Sequence, residues 1–319
     1  MCRQSLLTLC NRRWVKIIAA GLLSVFLIVF LIQAYHKAYR DFGYDFSSYL
    51  LSAQAILNGE NPFETDSPFT YSYPMFFAFA LIPFSLLPYW LSNFLWYLIN
   101  VASLLGSTVI LIKQSAKNLK TDWGSHLYAP LMIALLLLTP VLQNHLLNGQ
   151  VNFVVLLFCI LFLKYEFEDK TLLASVFLAL AAAIKLVPLI LFLFLLLRRR
   201  FKALALSAIL FIAFCLLPVI TLGGDLFDIY GAYVRDFIFG KFSGGLPGRY
   251  TYFTLYGFLS QTVPALRSIP SLEIVSAAVV SLSVVAVDLM AIRRNGSIAG
   301  LWTCHLYFMA ILLISPLSE

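Results

Sequence analysis

Two aspartates, Asp41 and Asp45, open the stretch DFGYDFSSYLLSAQAILNGENPF, just after an apolar run from Ile17 to Ile32. A carboxylate at such a place can take the proton of an attacking hydroxyl as a general base. Asp45 also precedes the first apolar position of an amphipathic stretch, which suits an N-cap accepting a backbone N–H. The roles conflict in part, because a capped carboxylate is a weaker base. Lys185 is the main basic residue within an apolar run, AIKLVPL. It must either snorkel to water or meet an anion, such as a lipid phosphate held by a point charge. Gln150 and Asn152, in LNGQVN, carry the donors and acceptors that bind a sugar, or else they form a polar turn around Gly149. His145 lies beside that turn, facing a site or satisfied at an interface. Arg249 sits with Arg235 and Lys241 around FSGGLPGRYTYF. That basic, Gly-rich, aromatic loop is either an interfacial anchor or a lid over an anionic head group.

These residues are carried by a membrane chain. Of 319 residues, 61% are hydrophobic and 12% charged, against about 25% charged in a soluble domain. The apolar residues come in continuous blocks rather than period-2 alternation, which predicts an all-α polytopic protein and not a β-barrel. The net charge of +7 does not point to nucleic acid, since Lys and Arg fall in short clusters beside apolar blocks. Neither the five cysteines nor the four histidines have metal-ligand spacing, and no Gly-rich nucleotide loop is present.

The clusters Arg12–Lys16, Lys113–Lys120, Arg198–Lys202 and Arg293–Arg294 are assigned to the cytoplasm by the positive-inside rule. The first apolar run reads as a retained signal anchor with its N-terminus inside. Residues 36–88 then form a first outer loop. Within it, 46–57 has apolar residues at helical spacing, stopped by Gly59 and Pro62, and 74–88 lies on or half in the surface. A crossing runs from about Trp90 to Ile112. Segments 127–143 and 151–164 go out and return, and 171–197 forms two short helices meeting at KLVP. Segment 203–222 goes out, 223–268 is a second large outer loop, and 270–292 and 298–315 complete about nine transmembrane helices.

The ordered series Asp45-Phe46 with Tyr49, LNGENPF, YSYPMF, NGQVN, LAAAIKLVPL followed by RRRFK, and the terminal SPLS resembles glycosyltransferase family 87, from about residue 40 onward. The resemblance implies a GT-C-like helical bundle with juxtamembrane helices in the first outer loop, in a bacterial inner membrane. It implies a first-loop catalytic aspartate at Asp45, a GQ motif at Gly149 and Gln150, and a lysine-proline pair at Lys185 and Pro188. Family members include enzymes that use polyprenol-phosphate-mannose. The family's SP is followed by a His-bearing stretch; this sequence ends at Glu319 before any such His, so the expectation is of a single domain cut short at its C-terminus.

The expected activity is inverting transfer of a hexose from a polyprenyl-phosphate donor to a glycan or glycolipid acceptor at the outer face, without metal or cofactor. Asp45 or Asp41 serves as base, Lys185 and Arg249 bind the donor phosphate, and Gln150, Asn152 and His145 bind sugar or acceptor. Two alternatives stand beside it. A transporter or flippase of lipid-linked sugars would depend on Asp288, an acid at membrane depth. A scaffold subunit of envelope assembly would use every polar residue structurally.

Overall fold

The computed structural model describes residues 13–38, 44–119, 128–235 and 271–295, with Leu259, Thr262, Val263, Leu306 and Tyr307 besides. All regular structure among them is helical. The helices are α1 (Arg13–Ala38), α2 (Asp45–Leu57), α3 (Met75–Ala80), α4 (Ile82–Ser85), α5 (Tyr89–Leu119), α6 (Tyr128–Asn148) and α7 (Asn152–Phe167). They continue as α8 (Thr171–Ile184), a 3-10 turn (Val187–Leu189), α9 (Ile190–Leu197), α10 (Phe201–Leu216), α11 (Val219–Leu222), α12 (Asp225–Ala232) and α13 (Ser271–Asn295).

Among the described residues, three unbroken segments are long and apolar enough to cross a bilayer: Tyr89–Gln114, Phe201–Leu222 and Val275–Arg293. Their outer faces carry exposed Leu105, Val109, Ile209, Ile212, Val279 and Leu282, which suits lipid and makes this a multi-pass membrane protein. The crossing expected from Trp90 to Ile112 is the first of them. The segments expected to go out and return are α6 and α7; bent by 110° at the intervening break, Leu138–Asn148 and Asn152–Phe167 are long and apolar enough together, as one broken span or a re-entrant loop. The expected pair meeting at KLVP is α8 and α9, joined through Lys185–Leu189. With 14 and 8 residues, each is shorter than the roughly 20 residues a perpendicular crossing takes.

At the centre, α8 packs against α7 and α10. Its Ala174, Ser175, Ala179, Ala181, Ala182 and Ala183 are fully buried, and small side chains let the helix axes approach closely. Ser175 donates its hydroxyl to the Ala203 carbonyl at 3.1 Å. The segment at 74–88 does not simply lie on a surface. Met75, Phe77 and Ala78 are buried, with α3 against α2, α8 and α10. Tyr71 fixes its start by donating to the Pro74 carbonyl at 2.9 Å and accepting from the Ala78 N–H at 3.0 Å.

Four helices end in one way. After α2, the Glu60 N–H reaches Ala55 O and Gly59 N–H reaches Ile56 O; α6, α7 and α9 repeat the pair from Gln150 and Gly149, Lys170 and Asp169, and Arg200 and Arg199. The residues at the left-handed position are Gly59 (φ 78°), Gly149 (φ 64°), Asp169 (φ 54°) and Arg199 (φ 55°). This closure satisfies carbonyls that would otherwise be orphaned at a helix C-terminus.

The end of the bundle where α7 passes to α8 and α9 to α10 is locked by charge. Arg200 pairs with Glu166 and Asp169, tying the two turns together. Arg198 donates to both oxygens of Asp288 at 3.1 Å, and Tyr307 donates to Asp288 Oδ2 at 2.8 Å. Asp288 is fully buried. Removing one partner of a buried pair leaves an uncompensated charge, which costs roughly 3–5 kcal/mol. Asp288→Ala is therefore expected to lower the thermal unfolding temperature in detergent steeply, and Asp288→Ala with Arg198→Leu to recover part of it. Equal melting of the single variant and the parent would remove this lock from the account.

Candidate functional site at the Gly149 turn

The site is built on two helix breaks. Gly149 ends α6 in the left-handed region, which a residue without Cβ adopts at no steric cost. The closing bond from Gln150 N–H to the His145 carbonyl, 3.1 Å, folds residues 145 and 150 onto one turn. Asn152, first in α7, then comes within reach of both side chains. Its amide nitrogen donates to Gln150 Oε1 at 3.0 Å and lies 3.2 Å from His145 Nδ1. At the second break, Lys185 follows α8 in extended conformation, and its Nζ donates to Asn152 Oδ1 at 2.8 Å. The expected set Lys185, Asn152, Gln150 and His145 is thus one connected group.

Asp45 is the first residue of α2 and not its N-cap. Tyr44 occupies that position. Ser47 donates to the Tyr44 carbonyl at 2.7 Å and accepts from the Tyr44 N–H at 3.3 Å. A nearby hydroxyl does the local capping, so the Asp45 carboxylate is partly exposed and acts on the cluster through space. It works against the burial that lowers Lys185, whose pKa is pushed down to about 8 at the break between two short helices. It also adds to the rise of Tyr49, driven first by burial and then by Tyr73. Asp41 and Arg249 lie outside the described residues.

Three residues of the site did not emerge from the sequence reasoning as site residues. Tyr49 donates to the Tyr73 hydroxyl at 3.0 Å, and the Tyr73 ring lies under Lys185 Nζ at 5.6 Å, in cation–π range. Trp96, from α5, donates its indole N–H to the Gly149 carbonyl at 2.6 Å. Its ring stacks on Phe46 with centroids 5.4 Å apart and planes at 10°. Tyr73 had a signal in the YSYPMF motif. Trp96 had only the general one that a buried indole seeks an acceptor.

Phe46 ties the turn to the aspartate beside it. A Cβ on Gly149 would sit 2.7 Å from Phe46 Cβ. Gly149→Ala thus combines a left-handed alanine with a clash against backbone-anchored atoms. We expect it to destabilise the protein by more than about 1 kcal/mol and to perturb tryptophan emission through the Phe46–Trp96 stack. An unchanged melt and spectrum would show that the turn tolerates a side chain.

The assembly defines a class: a helical, multi-pass membrane protein with a polar, lysine-centred site where its helices break, beside an aspartate-bearing amphipathic helix. Residues 69–316 match the model of glycosyltransferase family 87, and the chain belongs to that family. The matched stretch holds His145, Gln150, Asn152 and Lys185, whereas Asp45 precedes it.

Among curated proteins, the chain is similar to a polyprenol-phosphate-mannose-dependent alpha-(1-2)-phosphatidylinositol pentamannoside mannosyltransferase of Mycolicibacterium smegmatis. The two are 32% identical over 148 residues, 46% of this chain and 34% of that protein. Similarity to the protein of the same description from Mycobacterium tuberculosis is 28% over 160 residues, 50% of this chain and 36% of that one. The aligned stretches span about a third of the length of these relatives. No solved structure matches the chain.

Proposed function

We propose that this protein is a membrane glycosyltransferase that moves a hexose, with mannose the first choice, from a polyprenyl phosphate to a hydroxyl of a glycan or glycolipid. The observation that carries the reading is the Lys185 ammonium, held by Asn152 at a helix break and within electrostatic reach of the Asp45 carboxylate. The two groups have the charges that the leaving and attacking ends of the reaction require. The names of the relatives, which specify polyprenol-phosphate-mannose, support the donor class.

In the proposed reaction the acceptor oxygen attacks the anomeric carbon as the bond from that carbon to the phosphate oxygen breaks. The acceptor proton passes to Asp45, and the electron pair leaves with the polyprenyl phosphate. Attack opposite the leaving group inverts the anomeric configuration. Lys185 offsets the charge growing on the phosphate. A monophosphate leaving group has little enough charge for an ammonium to serve, and the proposal assigns it no metal. Gln150 and Asn152 bind sugar or acceptor hydroxyls. Asp41 and Arg249 remain a second carboxylate and a second phosphate ligand of the proposal.

The proposal takes up nine crossings, with residues 36–88 and 223–268 outside and the basic clusters inside by the positive-inside rule, so that the site opens to the outer face. There a bilayer-borne donor meets its acceptor. The transporter reading has less support, because Asp288, the acid it needs, is engaged by Arg198 and Tyr307.

The test is transfer from a labelled polyprenyl-phosphate sugar in membranes containing the protein. Loss of a general base costs about 10²–10⁴-fold, so Asp45→Asn is expected to reduce transfer by that factor at equal protein level. Lys185→Met is expected to reduce it about 10²-fold or more. Parent-level transfer by both variants would overturn the assignment. Lys185 must carry its proton to meet phosphate, so transfer is expected to fall as pH rises through about 8. A rate that stays level from pH 7 to 10 would separate the lysine from the chemistry.

A further inference from the structure

We propose that Asn152 is a positioning residue whose one amide group aims the Lys185 ammonium and sets the tautomer of His145. The inference deepens the glycosyltransferase reading and rests on it for its kinetic consequence. A lysine ammonium can only donate, so the Asn152 atom 2.8 Å from Nζ must be its carbonyl oxygen. The amide cannot be flipped, because its NH₂ would then face an ammonium.

With the oxygen so fixed, the NH₂ points to the other side, where it meets Gln150 Oε1 at 3.0 Å and His145 Nδ1 at 3.2 Å. A nitrogen that receives an N–H is an acceptor. Nδ1 of His145 is therefore unprotonated, and the ring keeps its proton on Nε2. His145 is a neutral donor through Nε2, and its other nitrogen is already occupied.

The groups facing Lys185 come from four elements. They are Asp45 on α2, Tyr73 on the segment before α3, His145 on α6 and Asn152 on α7. Of these, Asn152 alone is a neutral acceptor hydrogen-bonded to Nζ among the described residues. A neutral acceptor orients an ammonium without neutralising it. A carboxylate at residue 152 would orient and neutralise it together. Asparagine and aspartate have nearly the same shape, which makes their comparison informative about charge and geometry separately.

The experiment is competitive trace acetylation of the detergent-solubilised full chain across pH, with labelling of Lys185 read by mass spectrometry. Parent, Asn152→Asp and Asn152→Leu are compared. Acetylation needs the free amine. An opposite charge beside the lysine favours the protonated form by ~1 unit or more, so half-maximal labelling is expected at higher pH in Asn152→Asp. In Asn152→Leu, which lacks the acceptor, it is expected at lower pH than in the parent. Coincident curves for the parent and Asn152→Asp would overturn the proposal. Because Asn152→Asp is isosteric, it decides the matter even if Asn152→Leu does not fold.

Transfer gives the second readout. Asn152→Asp is expected to move the alkaline fall of transfer upward together with the labelling curve, and to lower kcat at neutral pH at least tenfold. A fall with the alkaline limb unmoved would reduce Asn152 to a structural role. Absence of transfer in the parent itself would sink the glycosyltransferase reading, while the labelling curves would still judge the role of Asn152.

Discussion

The site depends on the left-handed turn at Gly149. A helix that ends among packed apolar helices leaves carbonyls without partners unless the chain supplies them. The turn solves this with two local bonds, to the His145 and Leu146 carbonyls, and a third from Trp96 to the Gly149 carbonyl. The same geometry turns the chain by 110° and gathers His145, Gln150 and Asn152 on one side. Gly149 also has Phe46 against its α-carbon. The helix that begins with Asp45 is thus packed on the turn that carries the amide cluster. One backbone conformation relates the carboxylate to the ammonium, although 140 positions of sequence separate Asp45 from Lys185.

The two ends of α8 show how differently a membrane chain can treat its charges. At about 1.5 Å per residue, its 14 residues separate the ends by about 21 Å. At one end, Arg200, Glu166, Asp169, Arg198 and Asp288 are joined as ion pairs, and Arg198 also lies over the Phe194 ring at 4.1 Å. Those charges are committed to one another and hold turns and distant helices together. At the other end, Lys185 has a neutral amide as its acceptor and an aromatic face beneath it. The first arrangement resists change, and the second keeps the ammonium's charge uncancelled by a hydrogen-bonded carboxylate.

Much of this was legible in the sequence wherever local spacing carried it. The apolar face of 46–57 is the buried face of α2, and Gly59 closes that helix as its position suggests. The Lys185–Pro188 break separates α8 from α9, and the residues of NGQVN do converge, because a glycine-centred turn keeps its neighbours together. Asp45 is not the cap its position suggests, because the helix begins one residue earlier than the apolar spacing indicates: Tyr44 is the N-cap and Ser47 bonds its backbone. Long-range partners left no trace in spacing: Trp96 with Gly149, Tyr73 with Lys185, and Arg198 with Asp288 across 90 residues. The nine crossings rest on charge clusters and length, whereas the division of 171–197 into α8 and α9 was signalled locally by KLVP. A run long enough for one crossing can be two short helices around a site.

Keeping Lys185 charged is costly, as its lowered pKa indicates. Three modest effects oppose that cost. The Asn152 carbonyl dipole, the Tyr73 ring face and the field of Asp45 each favour the ammonium, and none cancels its charge by contact. This matters for an anionic ligand. A lysine already paired with a carboxylate must surrender that pair before binding phosphate, so most of the new interaction is offset by the old one. A lysine oriented by an amide surrenders little, and its remaining donors stay directed by the surrounding packing. Preorganisation of this kind favours charge that develops during a reaction over charge already present, because no group has to reorganise as the phosphate departs. Asp45 contributes its field to the same ammonium, whose hydrogen bond goes to Asn152. In the proposed reading the Asn152 amide holds the ammonium by a hydrogen bond while the Asp45 carboxylate acts on it through its field.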